Sequence, residues 1–425
     1  MSNIPLHDVR ETEISQDVPA SFPTADLHAL DNIRLQVGMA FFAFILIGAN
    51  DAAVGVFLPS LRAFYNIDKS TVGFLFVAST TGYLLSAFVS GILVEKLGRR
   101  AYMLAGCLAI ATGAFVIALT PPFPVVLLGA SCLGFGVAVI DAGLNAYIAG
   151  LPDSTATLNY LHAFFGLGAL LGPLLASGML SVGIAWNILY YLWVTLALVL
   201  LLGFAFAFKG HTPAPRSTHE GGNVLLSTLR LPIVWVAAFF LFAYVGIEVS
   251  LGSWAFTFLT EERHEAELIS GWTVSGYWLG LTVGRLLMGK LSSKLGARRL
   301  IYICLVGIVS GLLIVWLLPF GISSAAGLWL VGFSLGPIFP TTISLMSGFV
   351  PPRLLASVVG FVVSVGAAGA AIFPAVAGLL ADTLGLASLL PYELVLTAFL
   401  LSTWVILLRQ SNALVGAQSN LPAAL

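Results

Sequence analysis

The sequence predicts an all-α membrane protein with twelve transmembrane helices in two pseudo-symmetric six-helix bundles. Three observations predict it. Of 425 residues, 59% are hydrophobic and only 9% charged. An ordinary soluble domain carries about 25% charged residues, so most side chains here face lipid or one another. The apolar residues fall into runs long enough to cross a hydrocarbon core, which takes roughly 20 residues per helix. Finally, a charged hairpin at residues 91–100 (GILVEKLGRR) returns 198 residues later at 289–299 (GKLSSKLGARR), dividing the chain into two versions of one unit.

Residues 1–33 are polar and carry Asp8, Glu11, Glu13, Asp17, Asp26 and Asp31, with too few apolar residues to fold. A disordered tail is expected there, and no signal peptide, because no short apolar core precedes a cleavage site. The spans then lie at about 34–59, 70–92, 101–120, 124–150, 157–182, 185–209, 231–259, 267–290, 300–319, 324–348, 353–381 and 387–409. Several exceed the minimum, which implies tilt or extension beyond the bilayer. The first six make one bundle over 34–209 and the last six another over 231–409. Between them, 210–230 is broken by proline, glycine and polar residues and reads as a linker; 410–425 reads as a second tail. The halves echo beyond the hairpins. Asp51 and Glu248 are 197 residues apart, and Gly134-Phe135 returns after 198 as Gly332-Phe333. Repeats of this kind mark secondary transporters, which place substrate near the midplane between them.

Charge sets the orientation. With both termini cytoplasmic, fourteen lysines and arginines fall on the cytoplasmic side and three (Arg62, Lys69 and Arg263) on the other, leaving Arg285 inside a span. The positive-inside rule favours that orientation, and the expected location is the plasma membrane. A net charge of −1 excludes a nucleic-acid partner, which needs a basic footprint. Cys107, Cys132 and Cys304 lie inside apolar runs without a CxxC pair and read as small core residues. No Gly-rich phosphate loop, metal cluster or catalytic dyad stands out, so neither an enzyme nor a cofactor is expected. The expected partners are a small-molecule substrate, protons and the lipid bilayer, with the chain working as a monomer.

Four ionisable groups, Asp51, Asp141, Glu248 and Arg285, sit well inside spans. Each costs a few kcal/mol in hydrocarbon, about 2.5–3.5 by insertion scales, so they are expected to line a water-filled cavity or to pair. Asp51 and Asp141 lie 17 residues into spans entered from opposite sides, at mirrored depths. A carboxylate there is costly to keep charged, so either can take up and release a proton during a cycle. Asn145 shares a helix face with Asp141, and Asn159 shares one with His162; their amides and imidazole can hydrogen-bond hydroxyls. Asn50 neighbours Asp51, and Tyr277 and Trp278 lie inside the eighth span as cavity candidates. Arg285, four residues before Gly289, reads as a snorkelling residue or a latch between halves. In the hairpins, Glu95 beside Arg99 and Arg100 is expected to pair in one conformation and release in another. Arg298 and Arg299 form the second copy, where Ser293 stands in place of the acid.

Several segments resemble the fucose–proton symporter branch of the major facilitator superfamily and the fungal transporters of the bypass-of-stop-codon type. Asn50-Asp51 followed by Leu58-Pro59 is similar to the first-span motif, and Asp141-Ala-Gly-Leu-Asn145 to the acid-x-x-x-Asn of the fourth span. Leu158-Asn159 through Gly168-Ala169, Tyr244-Val-Gly246, Gly284-Arg285 and Phe339-Pro-Thr341 extend the likeness over residues 34–409. The resemblance implies that Asp51 and Asp141 are the substrate-linked and proton-linked acids. The sequence departs from fucose permease at His162, which replaces a glutamine, at Phe165, which replaces an asparagine, and at Glu248, which replaces an uncharged amide.

The function expected from the sequence is proton-coupled uptake of a small polar solute such as a sugar by alternating access. The alternatives are proton-antiport efflux of an amphipathic metabolite, for which an acidic Glu248 would suit a cation, and a nutrient receptor that has lost transport.

Overall fold

The computed structural model describes residues 24–151, 154–208 and 223–419. Its elements are α1 (Thr24–Tyr65), the single turn α2 (Lys69–Val72), α3 (Phe74–Ala118), α4 (Phe123–Ala149), α5 (Ser154–Ser181) and α6 (Asn187–Ala207) in the first half. The second half holds α7 (Asn223–Leu229), α8 (Pro232–Thr257), α9 (Glu267–Leu295), α10 (Ala297–Leu317), α11 (Gly321–Leu335), α12 (Ile338–Phe349), α13 (Pro352–Thr383) and α14 (Leu389–Ser419). Among the described residues, ten stretches are long and apolar enough to cross a membrane. One of them, Lys69–Ala118, holds two passes on either side of Gly98. Helix α9, made less apolar by its glycines, hydroxyls and Arg285, supplies the remaining pass, so twelve are present.

The internal repeat is visible in the backbone. At Gly98 the chain adopts φ 74°, ψ 159°, a conformation that a Cβ would strain, and α3 breaks there into two arms. Gly296, 198 residues on, repeats the turn with φ 76°, ψ 148° between α9 and α10. Helix contacts repeat at the same interval. A Cβ on Gly82 would collide with the Ser131 carbonyl and one on Gly134 with the Ser79 carbonyl. In the second half, Gly280 stands against the Trp329 carbonyl and Gly332 against that of Tyr277, each position 198 residues after its counterpart. Without side chains at these crossings the helix backbones touch, the close approach that membrane helices use in place of a hydrophobic driving force.

The tenth pass differs from the single helix expected at 324–348. It is two helices, α11 and α12, separated at Gly336-Pro337, because proline has no N–H to donate and its ring clashes with the preceding turn. The tail and linker boundaries also move. Helix α1 starts at Thr24, ten residues before the expected span, and α14 runs to Ser419, beyond the expected end at 409. A helix already nucleated in the bilayer propagates outward at little cost, even through polar residues. Within the expected linker, Asn223–Leu229 forms a short helix that packs on α8 and α13. The rest of the expected tails and linker (1–23, 210–222 and 420–425) lies outside the described residues.

The buried apolar side chains form one continuous core through both bundles, with Phe44, Phe57 and Phe204 in the first and Phe240, Trp254 and Trp404 in the second. The bundles meet where α5 packs on α9, α1 on α8, and α2 with the start of α3 on α13.

Candidate functional site

At mid-depth, α1 and α4 each present an acid. Asp51 lies at the centre of the molecule and is nonetheless exposed, so a solvent-reachable space penetrates between the bundles. Asp141 is half-buried and close enough for the two charges to interact. Its carboxylate is held from two sides: the Tyr83 hydroxyl donates to Oδ2 at 2.9 Å and Asn145 Nδ2 to Oδ1 at 2.9 Å. The same Asn145 amide donates to the Asp141 carbonyl at 2.9 Å, as one-turn spacing on α4 dictates. Among the described residues, Asp51 has a single weaker donor, Asn50 Nδ2 at 3.2 Å. Asn50 itself is buried and borders a small void inside the first bundle with Ile110, Leu133 and Trp193, so it faces away from the central space.

The second bundle answers with a pair. Arg285 Nη2 lies 3.2 Å from Glu248 Oε1 and 3.5 Å from the Tyr244 hydroxyl. The Tyr277 hydroxyl donates to the Glu248 backbone carbonyl at 2.8 Å. The reason for Arg285's direction lies behind it. A Cβ on Gly336, at the break of the tenth pass, would stand 2.7 Å from Arg285 N, and one on Gly284 would collide with the Phe333 carbonyl. Helix α9 is thus pressed onto α11 and α12, and the guanidinium turns to α8. Arg285 therefore neither snorkels nor bridges the halves. Helix α9 continues ten residues past it to Leu295, and at that depth a guanidinium needs a counter-ion.

His162 is exposed, packs edge-on against Phe44 at 5.6 Å and lies within electrostatic reach of Arg285 across the two halves. Asn159, one turn earlier, is exposed too. Tyr277 is fully buried and Trp278 nearly so, the indole packed on Gly252; both fill the second bundle instead of lining the space between bundles. An apolar hollow of about 600 Å³, bordered by Leu268, Ile269, Trp272 and Trp329, opens on the outer flank of α9 and α11, away from these groups.

Three of the four hairpin arginines are anchored within their own halves. Arg99 lies over the Tyr147 ring at 5.3 Å, and Tyr147 donates to Gln36 Oε1. Arg100 Nη2 donates to the Ala205 carbonyl at 2.9 Å. Arg298 donates to Asn412 Oδ1, and Arg299 is exposed. Glu95 is exposed and, among the described residues, forms no ion pair with Arg99 or Arg100. The expected Glu95 pairing is absent because an aromatic face and a helix-end carbonyl already hold those arginines.

The contacts that join the halves by charge sit instead on the face opposite the termini. Arg62 Nη1 meets Glu261 Oε1 at 2.7 Å and Lys69 Nζ meets Glu261 Oε2 at 3.5 Å. Asp382, at the end of α13, accepts the backbone N–H groups of Lys69 at 3.1 Å and Ser70 at 2.6 Å, capping α2 from the other half. Asp68 caps the same turn from within. Its carboxylate, held by Thr71, stays below the usual carboxylate range. A Cβ on Gly73 would meet Ala375, and one on Gly378 the Lys69 carbonyl. That face is closed.

Sequence reasoning missed four of these groups. Tyr83 stands 58 residues from its partner Asp141, and nothing local links them. Glu261 and Asp382 lie at helix ends, where an acid is unremarkable. Glu393, six residues into the expected last span, carried the same signal as Asp51. It is fully buried, and among the described residues neither carboxyl oxygen has a hydrogen-bond partner.

Two parallel repeated halves, twelve passes, a broken tenth helix and a polar site at mid-depth define an α-helical multi-pass membrane protein of the transporter class. The family model described as Major Facilitator Superfamily matches residues 40–374 and 246–423, and the chain belongs to that family. It is 25% identical to Bypass of stop codon protein 6 of Saccharomyces cerevisiae, over 87% of this chain and 80% of the relative. It is 24% identical to the glucose/mannose transporter GlcP of Bacillus subtilis, over 73% of this chain and 79% of the relative. Among solved structures, a D-xylose–proton symporter superposes with TM-score 0.73 at 15% identity, covering 88% of this chain and 97% of the other.

Proposed function

We propose that the chain is a proton-coupled secondary transporter that takes up a small polar solute, a sugar, by alternating access. The observation that carries the reading is the acid pair: Asp51, open to solvent at the centre of the molecule, within electrostatic reach of Asp141. Two carboxylates sharing a site do not both stay ionised readily, so one of them exchanges a proton with the water of the central space. Asn145, Asn159 and His162 supply donors and acceptors for hydroxyls. The ion pair with Arg285 neutralises Glu248, which removes the reason to expect a cationic substrate and favours a neutral one. Relatives described as a glucose/mannose transporter and as sodium-dependent glucose transporters support the solute class. The asymmetry of lysine and arginine supports cytoplasmic termini, which makes the closed face the outer one and the plasma membrane the natural site of uptake.

The test is solute uptake into proteoliposomes driven by an imposed pH gradient. Asp51→Asn and Asp141→Asn are each expected to abolish it. Uptake retained and insensitive to pH in both variants would refute the reading.

A further inference from the structure

The two acids are not held alike, and the difference assigns them separate tasks. Asp141 accepts from Tyr83 at 2.9 Å and from Asn145 at 2.9 Å, one donor on each carboxylate oxygen. Among the described residues, Asp51 accepts from Asn50 alone, at 3.2 Å, and it faces solvent. A carboxylate with a donor on each oxygen is stabilised as the anion. One with a single long donor and a like charge beside it is the member of the pair that picks up a proton, and its exposure gives the proton a route in.

We propose that Tyr83 is a positioning residue that keeps Asp141 a fixed anion, so that Asp51 is the acid that gains and loses the proton. This deepens the transport reading and rests on it. The resemblance to the fucose–proton symporters leads the other way, toward Asp141 as the proton-linked acid. Tyr83 is placed by the backbone: next to it, Gly82 lies against the Ser131 carbonyl, so α3 cannot slide on α4 and the phenol stays over Asp141. The other titratable groups near the acids are Tyr102 of α3, which interacts electrostatically with Asp141 and packs on Gly143 of α4, and Tyr83 itself. His162 of α5 and the mutually neutralised Glu248–Arg285 pair belong to the same central space. None of these supplies a further donor to Asp51.

Tyr83→Phe keeps the ring and removes the donor. A hydrogen bond to a charged group is worth enough to change proton affinity by about tenfold to a hundredfold, so Asp141 joins the titration in that variant. The experiment is an infrared pH titration of the carboxylic-acid C=O bands of the full chain in lipid, with no solute added, in a Glu393→Gln background that removes the fully buried acid. In difference spectra against Asp51→Asn/Asp141→Asn, which subtract the other carboxyl groups of the chain, one titrating band is expected, lost in Asp51→Asn and kept in Asp141→Asn. Tyr83→Phe is expected to add a second band, which disappears in Tyr83→Phe/Asp141→Asn. Loss of the original band in Asp141→Asn, or a Tyr83→Phe spectrum identical to its parent, would overturn the proposal. Because no solute is involved, this pattern found together with an absence of proton-driven uptake would uphold the division between the acids and refute the transport reading alone.

Discussion

Glu261 is the residue whose loss should open the closed face. It accepts from Arg62 at 2.7 Å and from Lys69 at 3.5 Å, both across the two halves. The Arg62 and Glu261 side chains keep 18% and 33% of their exposure, so solvent screening discounts the pair to about 1 kcal/mol, and the longer Lys69 contact adds a few tenths. Glu261→Gln removes both, which amounts to roughly 1.4 kcal/mol, or about tenfold in the ratio of closed to open. Asp382→Asn weakens the second strand of the latch, the cap on Lys69 and Ser70. Together the two substitutions should exceed the tenfold of Glu261→Gln but fall short of additive, because both act on Lys69. The assay is a distance distribution between spin labels at Leu119 and Leu384. Both positions are exposed on that face, one in each half, and the half-buried Cys132 is replaced beforehand. The expected result is a new long-distance population in Glu261→Gln, larger in the double variant. Raising salt should enlarge it in the parent protein, since the screening length falls from about 8 Å at physiological ionic strength to 3 Å at 1 M. Distributions that stay the same in both variants and at both salt levels would refute the reasoning.

Two further substitutions test the interior. Glu248→Gln strands the Arg285 guanidinium, and with 29% of that side chain exposed the cost should fall below the several kcal/mol of a fully buried pair, to about 2 kcal/mol. Thermal unfolding in detergent should show that loss, with Glu248→Gln/Arg285→Gln recovering more than half of it; strictly additive losses would contradict the pairing. Gly98→Ala places a Cβ at φ 74° and should cost about 1–3 kcal/mol. Gly91→Ala, in the same hairpin but helical and with open space around its Cβ, should be neutral or slightly stabilising. Equal effects at the two glycines would remove the argument that the turn requires Gly98.

The two-bundle fold was legible in the sequence because a membrane imposes it. Twelve apolar runs, a Gly-Arg-Arg hairpin and its echo were written in consecutive residues, and Gly98 and Gly296 turn where those hairpins lie. The acids Asp51 and Asp141 were legible because charge is rare in a span. What surrounds them was not, because the partners are distant in the chain. Tyr83 comes from another pass, and Glu248 and Arg285 are 37 residues apart, so pairing among the embedded charges was an open alternative but which of them pair was not readable. The charges between the halves were sought in the hairpins, where basic residues are dense. They lie at Arg62, Lys69, Glu261 and Asp382, up to 313 residues apart, and only packing brings them together. The break at Gly336-Pro337 was readable as a proline. Its consequence, seating Arg285 toward α8, was not.

The most direct test of proton coupling is the external pH of lightly buffered proteoliposomes as a panel of monosaccharides is added one at a time. The account predicts alkalinisation with at least one sugar, abolished in Asp51→Asn. A folded protein that exchanges a labelled sugar across the membrane while external pH stays flat would contradict it.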